Sequence, residues 1–238
     1  MKTLLAGSLV VHAAGGADRD GGGDGPAVLL CHGFGAPGAD LVSLHRVIDA
    51  GPGVRWFFPE APHELDGPMS GGRAWWHIDM MALQLAMMRG ELRDLERETP
   101  DGLAHARAAL ESCVDALVAD HGVDPARLII GGFSQGAMLT TEVALLGERS
   151  FAGLAVLSGT LLSRERWAEG AAARGGALHV MQSHGRRDPV LPFSGAEALH
   201  RTLVERGVDA TFTPFGGQHE IPQLVCDELG RFVRRRVA

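Results

Sequence analysis

A serine between two glycines is the feature of the sequence with the clearest chemistry. Gly132, Ser134 and Gly136 form the pattern Gly-x-Ser-x-Gly. An apolar run at 127–131 precedes the pattern, and a helical pattern at 135–146 follows it. This setting is typical of a tight, strained strand-to-helix turn that lifts a serine hydroxyl above a sheet. The spacing predicts that Ser134 is a nucleophile; the alternative is a serine in an ordinary glycine-rich loop.

A serine hydroxyl needs a base to remove its proton and a carboxylate to orient that base. Downstream of the serine, Asp188 follows an apolar run at 178–181, and His219 follows another at 210–213. Both lie in the segments after these runs, where loops at a sheet edge carry functional residues. We therefore predict that Asp188 is the acid and His219 the base. The other downstream histidines considered are predicted to be structural: His179, His184 and His200.

An acyl-transfer reaction also needs donors for the negative charge that develops on the carbonyl oxygen. One predicted donor is the backbone N–H of Gln135, the residue after the nucleophile. The other is the N–H of Phe34, in the loop His-Gly-Phe-Gly at 32–35, whose glycines let the backbone turn. A plain glycine turn is the alternative for this loop. His32 is predicted to be structural.

Four ordered motifs resemble those of the acyl-protein thioesterase, carboxylesterase and phospholipase family of α/β-hydrolases. The motifs lie at 31–35, 132–137, 184–192 and 216–221. The resemblance runs from about Pro26 to the end of the chain. It implies esterase activity and, position by position, the same roles for the same triad and oxyanion residues.

Apolar runs alternate with helical patterns along the chain, which predicts a parallel sheet covered by helices. We predict an α/β-hydrolase fold, with a mostly parallel central sheet, helices on both faces, and one domain over 1–238. The predicted strands are 1–11, 27–31, 54–58, 127–131, 151–157, 178–181 and 210–213. The predicted helices are 103–118, 135–146 and about 221–237.

The segment 59–99 departs from the family pattern, because the family is usually shorter there. It contains Trp75 and Trp76, followed by methionines that include Met80 and Met87. Unbranched methionine side chains adapt to irregular apolar shapes. We predict that this apolar insert forms a lid or acyl-binding roof near the active site and that these four residues contact substrate. Ordinary helix packing is the alternative.

Composition restricts the class of partner. The chain has 238 residues, a net charge of -7 and 45% hydrophobic residues. This charge leaves no broad basic field for nucleic acid, and no run reaches the roughly 20 apolar residues of a transmembrane helix. Three cysteines without close pairing favour a reducing compartment, so a cytoplasmic location is predicted. Histidine spacing predicts no metal site, and no cofactor is expected.

The predicted substrate is a small-molecule ester or thioester with an apolar acyl group. Two other classes stay open. The same fold and triad could serve a peptidase, a dienelactone hydrolase or an acyltransferase, since all pass through an acyl-enzyme. The chain could also be a non-catalytic binding domain. The sequence does not decide the acyl length, the leaving group or the oligomeric state.

Overall fold

The computed structural model describes residues 1–79, 95–97 and 99–237 of the chain. Its strands are β1 (Lys2–Ala6), β2 (Leu9–Gly15), β3 (Ala27–Cys31), β4 (Arg55–Pro59), β5 (His63–Glu64), β6 (Arg73–Ala74), β7 (Leu128–Phe133), β8 (Gly153–Leu157), β9 (His179–Gly185) and β10 (Asp209–Phe215). The described helices are α1 (Leu44–Val47), α2 (Leu103–His121), α3 (Gln135–Leu146), α4 (Arg164–Arg174), α5 (Phe193–Glu205) and α6 (Gln223–Val237).

Eight strands form the central sheet in the order β1-β2-β4-β3-β7-β8-β9-β10. β1 and β2, and β2 and β4, pair antiparallel, whereas every later neighbour pairs parallel. Parallel pairing brings the carboxyl ends of β3, β7, β9 and β10 to one edge of the sheet. Functional side chains that follow these strands therefore share that edge.

Helices cover both faces of the sheet, as predicted. Successive side chains of a strand point to opposite faces, so Leu128 and Ile130 of β7 pack in one apolar cluster with residues of α2, α3, α4 and α5. Ile129 packs in the other cluster, with residues of α6. Burial on both faces explains why the central strands are continuous apolar runs. Among the described helices, none combines the length and apolar content needed to cross a membrane.

The predicted strands and helices are present, but the strand predicted at the start of the chain needs correction. The strand at 27–31 and the helix at 135–146 have the predicted bounds. The strand predicted at 1–11 is instead a hairpin of β1 and β2. Gly7 has a φ of +57°, and the pairing of Ala6 with Leu9 closes a turn at Gly7 and Ser8. The interruption of the apolar run is therefore a hairpin turn.

Helix α5 was predicted only as a helical pattern around His200, helix α1 was not predicted, and neither was helix α4. Its buried residues are Trp167, Gly170 and Ala171, and its remaining side chains are mostly polar or small. So few apolar anchors do not form the long periodic stripe from which a helix is predicted.

The segment 59–99 is described only in part. β5 and β6 form a two-stranded antiparallel hairpin, in which His63 pairs with Ala74. Met80 and Met87 lie outside the described residues. The lid or acyl-binding insert therefore stays a prediction.

Candidate active site

Ser134 occupies the tight turn between β7 and α3. Its φ of 55° and ψ of -116° lie outside the regions that L-residues ordinarily adopt. The turn is held by two backbone hydrogen bonds, from Ser134 N–H to the carbonyl of Leu157 (2.9 Å) and from Met138 N–H to the carbonyl of Ser134 (3.1 Å). The strained turn predicted for the nucleophile is thus present.

Close backbone packing explains both glycines of the motif. A Cβ atom at Gly132 would lie 2.5 Å from the carbonyl carbon of Gly136 and 2.7 Å from the carbonyl oxygen of Cys31. A Cβ atom at Gly136 would lie 2.2 Å from that same oxygen of Cys31. Contacts this short involve backbone that cannot move aside, so only glycine fits at either position.

The predicted acid and base contact each other directly. His219 Nδ1 donates to Asp188 Oδ2 at 2.6 Å, and the Asp188 side chain is fully buried. Asp188 Oδ1 accepts backbone N–H bonds from Val190 (2.8 Å) and Leu191 (2.9 Å). Burial raises the pKa of Asp188, but these hydrogen bonds outweigh it, so the pKa lies below its usual value. An ionised Asp188 leaves His219 Nε2 as the ring atom able to accept a proton.

Backbone contacts hold the two loops that carry this pair. Arg186 N–H donates to the carbonyl of Phe215 (2.8 Å), and Arg187 N–H donates to that of Gly217 (3.0 Å). A Cβ atom at Gly185 would lie 2.1 Å from the carbonyl oxygen of Gln218, so this glycine permits the close approach. The loops after the neighbouring strands β9 and β10 thus place the predicted acid and base next to each other.

The predicted base, His219, lies beside the serine turn. The ring of Phe133, the residue before Ser134, has its centroid 4.7 Å from that of His219. The exposed fraction of the His219 side chain is 16%, while Asp188 behind it has none. The structure therefore brings the serine turn and the acid–base pair to the same sheet edge, with the imidazole nearer to solvent.

His184 contacts the predicted acid, although its sequence position predicted only a structural role. This buried imidazole donates from Nε2 to the carbonyl of Leu191 at 2.9 Å, and the same nitrogen lies 3.3 Å from Asp188 Oδ2. Burial lowers the pKa of His184, which keeps the ring neutral. Its position four residues before Asp188, near the end of β9, was the signal available in the sequence.

The segments that carry the two predicted oxyanion donors both lie close to the serine turn. Gln135 is the first residue of α3, and the first N–H groups of a helix have no acceptor within that helix. Phe34 lies in the loop after β3, which approaches the turn closely: a Cβ atom at Gly33 would lie 3.3 Å from Ser134 Cβ. Gly35 in this loop has a φ of +79°, which glycine adopts without strain.

His32 supports the backbone before this loop, as predicted for a structural residue. Its Nδ1 donates to the carbonyl of Gly33 at 2.8 Å, and its Nε2 accepts the N–H of Ala61 at 3.1 Å. Burial lowers the pKa of His32, consistent with a neutral ring that both donates and accepts.

Trp75 and Trp76 are core residues in this structure. Their exposed fractions are 0% and 3%. The N–H of Trp75 donates to Gln135 Oε1 at 2.9 Å, and Gln135 Nε2 donates to the carbonyl of Trp76 at 2.8 Å. Acyl-chain binding by these two side chains stays a prediction. Their observed contacts support the start of α3, a function that the sequence analysis missed.

Fold and site together define the class of protein. A mostly parallel sheet with a strained serine turn after β7 and an Asp–His pair after β9 and β10 is the architecture of the α/β-hydrolases. The chain belongs to the phospholipase/carboxylesterase family, whose model matches residues 22–236. The resemblance noted in the four motifs is confirmed.

Individual relatives agree with this assignment. The chain is 32% identical to acyl-protein thioesterase 1 of Eremothecium gossypii over 187 residues, which cover 76% of this chain and 73% of that protein. It is 25% identical to acyl-protein thioesterase 1 of Gibberella zeae, over 88% of this chain and 90% of that protein. The crystal structure of esterase PE8 matches with a TM-score of 0.79 and 26% identity, over 95% and 98% of the two chains. The chain is therefore a hydrolase of the carboxylesterase and thioesterase type.

Proposed function

We propose that this enzyme cleaves small-molecule carboxylic esters or thioesters through a covalent acyl-enzyme on Ser134. His219 is the general base, and Asp188 holds the imidazole in the required tautomer. The hydrogen bond of 2.6 Å between His219 and Asp188, beside the strained turn of Ser134, is the observation that supports this proposal most directly.

Each proposed step uses groups of this chain. His219 Nε2 accepts the hydroxyl proton as Ser134 Oγ forms a bond to the carbonyl carbon, and the backbone N–H groups of Phe34 and Gln135 donate to the resulting oxyanion. Collapse of this tetrahedral intermediate breaks the bond to the alcohol or thiol, which takes the proton from His219. Water then attacks the acyl-enzyme by the same route, which releases the acid and restores the serine.

Labelling with a fluorophosphonate tests the nucleophile. We expect the wild type to be labelled and Ser134→Ala to be neither labelled nor active, since no other hydroxyl lies at this turn. Ser158→Ala is the matched control, because Ser158 is also buried, also has a positive φ (50°), and follows the neighbouring strand β8. Labelling that persists in Ser134→Ala, or is lost only in Ser158→Ala, would contradict the assignment. A wild type that is not labelled at neutral pH would indicate a binding domain.

The substrate class is proposed from the relatives named acyl-protein thioesterase, together with the apolar segment 59–99. We propose that Met80 and Met87 of this segment bind an apolar acyl chain. The wild type should then have a lower KM for long-chain p-nitrophenyl esters than for the acetate, and Met80→Ser with Met87→Ser should remove that difference. Equal KM values across acyl lengths in the wild type would reject the idea.

Thioesters and amides in the same assays separate an esterase from a peptidase.

A further inference from the structure

One short segment of chain contacts both sides of the proposed oxyanion site. We call residues 73–76, which comprise β6 and the two tryptophans, the bridging segment. On one side, Gly35 N–H donates to the carbonyl of Arg73 (2.9 Å), and Arg73 N–H donates to the carbonyl of Ala36 (3.0 Å). These two bonds hold the loop in which Phe34 lies.

On the other side, the bridging segment binds the side chain of Gln135. The amide of Gln135 accepts from Trp75 N–H at 2.9 Å and donates to the carbonyl of Trp76 at 2.8 Å. Trp75 also donates from its indole Nε1 to the carbonyl of His32 at 2.9 Å, directly before the Phe34 loop. Backbone and side-chain bonds thus join the two loops through a segment that belongs to neither.

Because Gln135 and both tryptophans are buried, losing these hydrogen bonds would be energetically costly. Gln135 and Trp75 have no exposed surface, and Trp76 has 3%. In such an environment a polar group without a partner is costly, so the amide of Gln135 is confined to the orientation that satisfies both partners. The residue so confined is the one whose backbone N–H is a proposed oxyanion donor.

We propose that the side-chain amide of Gln135 is a positioning group, which locks its own backbone N–H in register with that of Phe34 through the bridging segment. This inference rests on the proposed function. An oxyanion needs its donors within a narrow distance range in the transition state, so a small displacement of one donor weakens stabilisation of that state more than binding of substrate.

Gln135→Met tests the proposal, because methionine has a similar length and leaves the backbone N–H in place while removing both side-chain bonds. Loss of a whole oxyanion donor lowers kcat by about 10²–10³-fold, so we expect a displaced donor to lower it by about 10–100-fold, with KM nearly unchanged. Gln182→Met is the matched control: Gln182 is equally buried, and its Nε2 donates at 2.8 Å to the carbonyl of Ala196, away from the oxyanion loops. The control should keep wild-type kcat.

An alkyl trifluoromethyl ketone separates positioning from general loss of structure. Ser134 Oγ adds to its carbonyl carbon, the carbonyl electron pair moves to oxygen, and the hydroxyl proton passes to His219, which gives a reversible oxyanion adduct. We expect Gln135→Met to lose affinity for the ketone by the same factor as kcat/KM, whereas Gln182→Met keeps its affinity. Unchanged kcat and ketone affinity in a folded Gln135→Met would overturn the inference.

Gln135→Glu provides a second test if the methionine variant does not fold. A protonated carboxyl can accept from Trp75 N–H and donate to the carbonyl of Trp76, whereas an ionised one cannot donate. Because burial favours the neutral acid, the ratio of variant to wild-type kcat/KM should rise as the pH is lowered from about 8 to about 6. A ratio that stays flat would refute the positioning role. An active Ser134→Ala would instead refute the proposed function itself, which keeps the two failures distinct.

Discussion

The two halves of the candidate active site are held in different ways. In the acid–base half, the loops after β9 and β10 contact each other directly, and the Asp188–His219 bond joins two neighbouring strands. In the nucleophile half, the backbone around the serine turn is packed so closely that neither flanking glycine has room for a Cβ atom. The bridging segment joins this turn to the Phe34 loop. The acid–base half combines its hydrogen bonds with one close backbone contact at Gly185 and open space beside Gly216, whereas the backbone is closely packed at both glycines that flank Ser134.

This difference implies different responses to substitution. In a densely packed region an added methyl group displaces backbone, whereas near the rim it meets solvent. Conversely, a buried ionisable group near the predicted acid makes that half sensitive to pH, while the serine turn is held by backbone hydrogen bonds and steric contacts that do not titrate.

The largest expected effect comes from adding one methyl group to each half. Gly136→Ala should lower the free energy of unfolding by about 3 kcal/mol, because the new Cβ would lie 2.2 Å from the carbonyl oxygen of Cys31. Helix propensity alone would favour alanine by about 1 kcal/mol, so a loss shows that the clash dominates. Gly216→Ala, in the His219 loop, has nothing within 4 Å of the new Cβ and should change stability by less than about 0.5 kcal/mol. Urea denaturation of both variants measures the two changes in the free energy of unfolding. Equal losses in the two variants would contradict the difference in packing between the two halves.

A smaller effect is expected from His184. Burial holds the pKa of His184 below its ordinary value, so the unfolded chain binds a proton below about pH 6.5 that the folded protein does not. The folded state therefore loses stability as the pH falls through that range, and His184→Gln should lose less than the wild type between about pH 8 and about pH 5. The measurement is the free energy of unfolding at both pH values.

His200→Gln is the control for that experiment. Burial also lowers the pKa of His200, but no contact to Asp188 is found among the described residues. Both variants should flatten the pH dependence of stability, whereas only His184→Gln should change kcat, since His184 Nε2 lies 3.3 Å from Asp188 Oδ2. An unchanged kcat in both variants would show that the function of Asp188 does not depend on its contact with His184.

Much of the acid–base half could be predicted from the sequence, because its residues follow apolar runs that became adjacent parallel strands. Asp188 and His219 are 31 residues apart in the chain, and each follows an apolar run that the sequence predicts to be a strand. That these two strands are neighbours is seen only in the structure. The hairpin at Gly7 was missed because a short break in an apolar run does not distinguish an irregular strand from a turn. Helix α4 was missed because it has too few buried residues to show a period.

The sequence by itself determined which residues are candidates for the chemistry of a serine hydrolase and in which segments they lie, since a serine turn, its glycines and the strand before it form a local pattern. Only the tertiary structure decided that Trp75 and Trp76 are core residues and that the amide of Gln135 binds their backbone, across 60 and 59 residues of chain. The physical reason is that local patterns record hydrophobicity and turn geometry, whereas the partner of a buried amide is set by whichever distant backbone the packed fold brings within hydrogen-bonding distance.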